Sequence, residues 1–171
     1  GRVQAASNLI LSPTGPVSNL SGKILAGAKL ALTGGALTNS AGEISAQTGS
    51  ATLTVTSYSN AAGLLLAGSA LSLDTQGGSL TANGSTFASG AGMSLRGGAT
   101  QFNDAHVTAG GSMDAQLTSL QANRATVQAA GQLTANVGAG EFSATQSTWK
   151  AGQGVALTGA NTTLEVNRYI W

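Results

Sequence analysis

Seven basic and six acidic residues are all the formal charge in this 171-residue chain, with one histidine beside them. The chemistry open to it is therefore carboxylate chemistry: acid–base work by Glu43, Asp74, Asp104, Asp114, Glu141 or Glu165, or by His106 with Asp104. Hydrolysis of a glycosidic bond needs two carboxyl groups about 5–10 Å apart on one face. Whether any two acids meet depends on how the chain repeats.

It repeats every 20 to 22 residues. Val17-Ser18-Asn19 with Gly22 and Ala26 is followed by Leu37-Thr38-Asn39 with Gly42 and Ala46, then by Tyr58-Ser59-Asn60 with Gly63 and Ala67. Ile24, Ile44 and Leu65 each stand two residues after the glycine. The second half changes motif and keeps the period: Phe87, Val107, Val127 and Trp149 recur, each with Ser or Ala two positions away on both sides. Small–large–small at alternate positions is the buried face of one short strand.

A second apolar pair recurs as Leu30/Leu32, Leu71/Leu73, Met93/Leu95, Met113/Ala115, Leu133/Ala135 and Val155/Leu157. Leu53/Val55 is slightly out of step, which predicts a small local insertion. Gly27, Gly49, Gly68, Gly90, Gly110, Gly131 and Gly152 precede these pairs and predict turns with positive φ. A unit of this size cannot bury its own apolar face, but stacked units can, at the ~4.8 Å spacing of strands in a sheet. The expected fold is all-β: a right-handed parallel β-helix (β-solenoid) of about eight coils, three short sheets per turn, on the order of 40 Å long. Residues 1–67 form a first repeat class, 68–166 a second, and 167–171 an irregular end that caps the stack or is cut from a further coil.

In this frame the six acids fall at different phases, so no two are expected on adjacent coils. Asp74 with Arg96, and Asp104 with Arg124, share columns one coil apart and predict outward cross-coil ion pairs. His106 occupies the column of Thr86, Thr126 and Thr148 and reads as a surface replacement for threonine. A metal site would need more ligands than that column offers. Asn19, Asn39 and Asn60 read as turn caps that tolerate the left-handed region, against the alternative of a sugar- or ion-binding ladder. Thr52, Thr54 and Thr56 read as solvent-facing. Tyr58, Phe87, Phe102, Phe142 and Trp149 are assigned to the core. No catalytic, cofactor-binding or metal-ligating residue is assigned, no cofactor is expected, and the ligand-binding residues stay open.

Composition agrees with a folded chain: 42% of residues are apolar, 8% are charged, and cysteine is absent. Glycine does not fall at every third position, which excludes collagen. The basic residues form no run, so a nucleic-acid stripe is not expected. No apolar stretch approaches the ~20 residues of a membrane-spanning helix, and no secretory leader is visible at the start.

The pattern apolar-x-Asn-x-x-Gly-x-Ile/Leu-x-Ala after Gly-x-x-Leu-x-Leu, seen best from Gly27 through Leu30 and Leu32 to Asn39, Gly42, Ile44 and Ala46, resembles the repeats of filamentous haemagglutinins and contact-dependent inhibition proteins. The resemblance covers roughly residues 16–166. It implies a non-enzymatic, secreted exoprotein at the bacterial cell surface or outer membrane, exported through an outer-membrane transporter partner by two-partner secretion. It implies adhesion to host or sister cells through a receptor or glycan bound by the parent protein, with no nucleic acid and no membrane insertion. A receptor-binding or shaft segment of a toxin-delivery filament is the alternative, and a carbohydrate-active β-helix enzyme is the reading from another class. No Arg-Gly-Asp tripeptide and no toxin module occurs in the sequence.

Overall fold

A computed structural model describes residues 1–165 and the strand Arg168–Ile170. The described chain holds no helix. Its first coil is β1 (Arg2–Ala5), β2 (Leu9–Leu11) and β3 (Val17–Ser18). Every later coil repeats that triplet, so that three parallel sheets of nine, eight and eight strands run the length of the molecule. The first sheet grows from β1, the second from β2 and the third from β3, with every third strand added in sequence order. The protein is a parallel β-solenoid of about eight turns, as the 20- to 22-residue period predicts.

Register follows the apolar columns. Val3, Ile24, Ile44, Leu65, Phe87, Val107, Val127 and Trp149 are successive partners in the first sheet. From Ile24 onward all of these are buried, with Phe87, Val107, Val127 and Trp149 at 0% exposure. Leu30, Ala51, Leu71, Met93, Met113 and Leu133 make an equivalent column in the second sheet. Alternation sends every second side chain into this shared core. Phe102 stacks between two small neighbours, Ala82 and Ala122. Tyr58 and Phe87 lie with ring centroids 5.8 Å apart, and Phe142 and Trp149 5.4 Å apart. All five aromatics assigned to the core are buried there.

Three expectations are corrected. There is no insertion at Leu53/Val55: Ala51 and Leu53 hold the two columns, in register with Leu30/Leu32 and Leu71/Leu73. Alanine fills the first position, so the large apolar residues stand two places further along the chain, and Val55 is buried at the corner that follows.

The glycines before the second sheet do not have positive φ. They are needed because coils approach closely there. A Cβ on Gly90 would collide with the carbonyl oxygen of Gly68, one coil earlier, and one on Gly68 with that of Gln47. One left-handed residue per coil sits at the corner between the third and first sheets, at Ser21, Ala41, Ala62, Gly84, Asp104, Arg124 and Gln146, while Gln76, Gly77 and Gly138 are left-handed at turns between the second and third sheets.

Asp74 and Arg96 are register partners but form no ion pair. The Asp74 carboxylate instead accepts the backbone N–H of Gln76 at 2.7 Å, closing a turn in which Gln76 has φ +52°. That local bond needs no long side chain to be ordered, so it takes the carboxylate.

The strand Arg168–Ile170 pairs in parallel with Thr148–Lys150 and continues the first sheet. Trp171, placed in the irregular end, lies outside the described residues.

Candidate functional site

One of the two ion pairs stands at the left-handed corner between the third and first sheets. Asp104 and Arg124 stand there one coil apart, and Arg124 Nε and Nη2 donate to Asp104 Oδ1 and Oδ2 at 2.7 and 2.6 Å. This is the expected cross-coil pair in bidentate form. The hydrogen bonds from Arg124 hold the Asp104 carboxyl below the ordinary carboxylate range. The side chains are 51% and 61% exposed, so water screens the pair.

His106 lies in register with Thr86 and Thr126 and is exposed, as its column predicts. Both Asp104 oxygens are held by Arg124 rather than turned to the imidazole.

The acids stay dispersed, each in register with neutral or basic residues. Asp114 lies between Ser94 and Thr134 and accepts from Gln116 Nε2 at 2.8 Å. Glu141 faces Asn161, and Glu165 faces Thr145. Glu43 accepts from Lys23 Nζ at 2.8 Å, a pair the sequence reading missed. The signal was available, because Lys23 and Glu43 both directly follow the repeat glycines Gly22 and Gly42. Among the described residues no three metal-binding side chains gather.

Two asparagine ladders run along the stack, one residue out of phase. Asn19, Asn39 and Asn60 point inward and are 6%, 0% and 0% exposed. Asn19 Nδ2 donates to Asn39 Oδ1 at 2.6 Å, and Asn39 Nδ2 to Asn60 Oδ1 at 3.2 Å. Asn39 and Asn60 also donate to the carbonyls of Gly42 and Gly63, three residues on. The turn-capping expectation holds for those bonds. It fails for the backbone, since the left-handed residues are Ser21, Ala41 and Ala62 instead. Burial removes this ladder from any sugar or ion in solvent.

The second ladder, Asn83, Asn103 and Asn123, lies on the outer surface with amide–amide bonds of 2.9 and 3.0 Å. It was visible as a motif but not as a ladder, because nothing in the spacing says which of two adjacent positions points inward.

Two hollows accompany these features. A shallow groove of about 200 Å³ crosses the outer face of the third sheet beside Gln101, Gln121, Glu141 and Ser143. A larger one of about 570 Å³ opens on the first coil, lined by Val3, Leu11, Val17, Asn19 and Ile24 among others.

No family model, curated protein or solved structure matches this chain. The resemblance of the repeat therefore rests on the residues that carry it.

Tyr58 is buried at 1% exposure with its hydroxyl unpartnered. Burial pushes the phenol well above its usual range. The adjacent Asn39 amide works the other way, without the geometry of a completed hydrogen bond. The phenol therefore stays protonated, which suits a core side chain. Thr52 is exposed and Thr54 half-buried, as expected for outward strand positions, whereas Thr56 is exposed in the bend after the strand Ala51–Thr54 ends. Their registered neighbours Ala31, Ser72 and Asp74 break any threonine array.

Proposed function

We propose that this chain is a non-enzymatic shaft segment of a large bacterial exoprotein, structural and weakly adhesive. The observation that carries the reading is the unbroken register of the three sheets. The inward columns build a rod, and the outer charges at Lys23–Glu43 and Asp104–Arg124 are used in joining one coil to the next. Such a rod acts passively. It holds a binding or toxic element away from the cell, or offers its flanks for weak repeated contacts whose sum is avidity. The repeat's likeness to filamentous haemagglutinins supports export through an outer-membrane transporter, residence at the cell surface, and a host or bacterial receptor or glycan bound through the parent protein. The same likeness extends to toxin-delivery filaments, which is the second reading.

Beads coated with the purified chain test this. Under the shaft reading they adhere to host or bacterial cells weakly, in proportion to coating density, and no single receptor is captured. Saturable capture of one receptor from bacterial membranes favours the second reading. Turnover of an acidic polysaccharide that is lost in Asp104→Asn would overturn the non-enzymatic assignment.

A further inference from the structure

Three Asn-x-Ser/Thr triplets occur in the chain: Asn19-Leu20-Ser21, Asn83-Gly84-Ser85 and Asn161-Thr162-Thr163. This is the acceptor pattern for N-linked sugars, with any residue but proline in the middle. The fold treats the three differently. Asn19 is buried, and its Nδ2 donates to Asn39 Oδ1 at 2.6 Å and to the Glu43 carbonyl at 3.2 Å. A sugar on that nitrogen would enter the core and break the inner ladder. Asn161 stands on the last coil of its sheet, so its exposure follows from position alone. Asn83 lies within the stack, with a paired coil on either side, and is exposed all the same.

Asn83 also begins the outer ladder. There each later coil donates to the earlier one, Asn103 Nδ2 to Asn83 Oδ1 and Asn123 Nδ2 to Asn103 Oδ1. The amide nitrogens of Asn103 and Asn123 are therefore used, whereas Asn83 only accepts. Its register partner in the coil before is Ala61, which offers no side-chain acceptor, and its Nδ2 makes no hydrogen bond within the protein. Of the three stacked asparagines, the one with the free nitrogen is the one with a hydroxyl two residues on. The other two are followed at that place by Ala105 and Ala125.

We propose that Asn83 is an N-glycosylation site, taking its sugar from a glycosyl diphosphate donor before its coil closes, and that Asn19 is bare in every folded molecule. In the transfer, Asn83 Nδ2 bonds to the anomeric carbon of the sugar. The bond from that carbon to the diphosphate oxygen breaks, the diphosphate leaves with the electron pair, and the amide gives up one proton. Asn83 Oδ1 still accepts from Asn103, so the ladder survives. Ser85, by contrast, is 1% exposed with its Oγ unpartnered, just past the left-handed Gly84. Amide and hydroxyl thus face opposite sides of the wall in the finished rod, and an enzyme that grips both acts before stacking. The site goes beyond the shaft reading and does not depend on what the rod adheres to.

The test starts from the parent protein purified from the organism that makes it, trimmed by protease to the folded rod, then denatured, digested and mapped by mass spectrometry. The Asn83 peptide is expected to carry sugar on the asparagine, and the Asn19 peptide none. Ser85→Ala should abolish the sugar and leave Tm within about 2 °C, since buried alanines already stand at Ala105 and Ala125 and the lost hydroxyl has no partner. Bare chain, unfolded or refolded, is also incubated with extract of the same organism and a labelled donor, nucleotide-linked in one arm and lipid-linked in the other. Label should enter the unfolded chain alone, and the arm that labels it identifies the source of the sugar. A bare Asn83, no labelling from either donor, or sugar that persists in Ser85→Ala would overturn the site. Sugar on Asn19 in the folded fraction, or labelling of the refolded rod, would overturn the sorting by burial. The adhesive reading is decided separately, by the bead assay.

Discussion

Arg124 clasps both carboxylate oxygens of Asp104 from the coil above, and the two residues share the same uncommon backbone state, with φ of +51° and +53°. The left-handed corner turns both side chains outward along one line, so the pair links two coils without entering the core. Asp104 has its carboxyl pKa lowered in the folded chain, so the pair stabilises above the unfolded carboxyl pKa, near 3.9. That contribution is lost as pH falls through the folded value. Asp104→Asn should therefore flatten the acid side of the Tm–pH curve below about pH 4. It should also reduce the sensitivity of Tm to 1 M salt near neutral pH. A melting series in buffers from pH 2.5 to 7 checks both.

The two asparagine ladders should respond oppositely to truncation. Asn39→Ala leaves Asn60 Oδ1 without its amide donor in the core and should cost about 1–3 kcal/mol. Asn123→Ala removes an outer amide bond whose partner can turn to water and should fall within about 0.5 kcal/mol of the parent. Urea unfolding of the two variants measures the difference.

The corner glycines give a steric contrast. Gly90→Ala drives a methyl into the Gly68 carbonyl and should destabilise by about 1–3 kcal/mol, because backbone cannot step aside as a side chain can. Gly15 has open space at the same atom, and Gly15→Ala should be neutral within about 0.5 kcal/mol. Paired denaturation curves decide it.

Tyr58→Phe removes a buried hydroxyl that has no partner and keeps the ring against Phe87. The change should be neutral or stabilising by up to about 1 kcal/mol. A loss of more than that would mean the hydroxyl is bonded in solution.

Much of this architecture can be read from residue spacing. Phe87, Val107, Val127 and Trp149 announce a column because large side chains flanked by small ones admit one orientation. Asp104 and Arg124 announce a pair because both directly follow an asparagine of the repeat. What escaped is decided at single-residue resolution. Asn60 and Asn83 sit in similar motifs, yet one points into the core and the other into solvent, since their columns are shifted by one place. Asp74 and Arg96 share a column as truly as Asp104 and Arg124 do, but a local turn competes for the first carboxylate. The glycines were legible as corners while the reason for them was not, because a clash with the coil before exists only after stacking.

Stacking itself is tested most directly at Val107 and Val127, twenty residues apart in sequence and registered partners at 0% exposure. With valine methyls selectively labelled, nuclear Overhauser spectroscopy should show a strong cross-peak between these two side chains, as expected for strands about 4.8 Å apart. Assigned methyl resonances with no cross-peak between them, or helical backbone shifts around either residue, would contradict the solenoid and the shaft built on it.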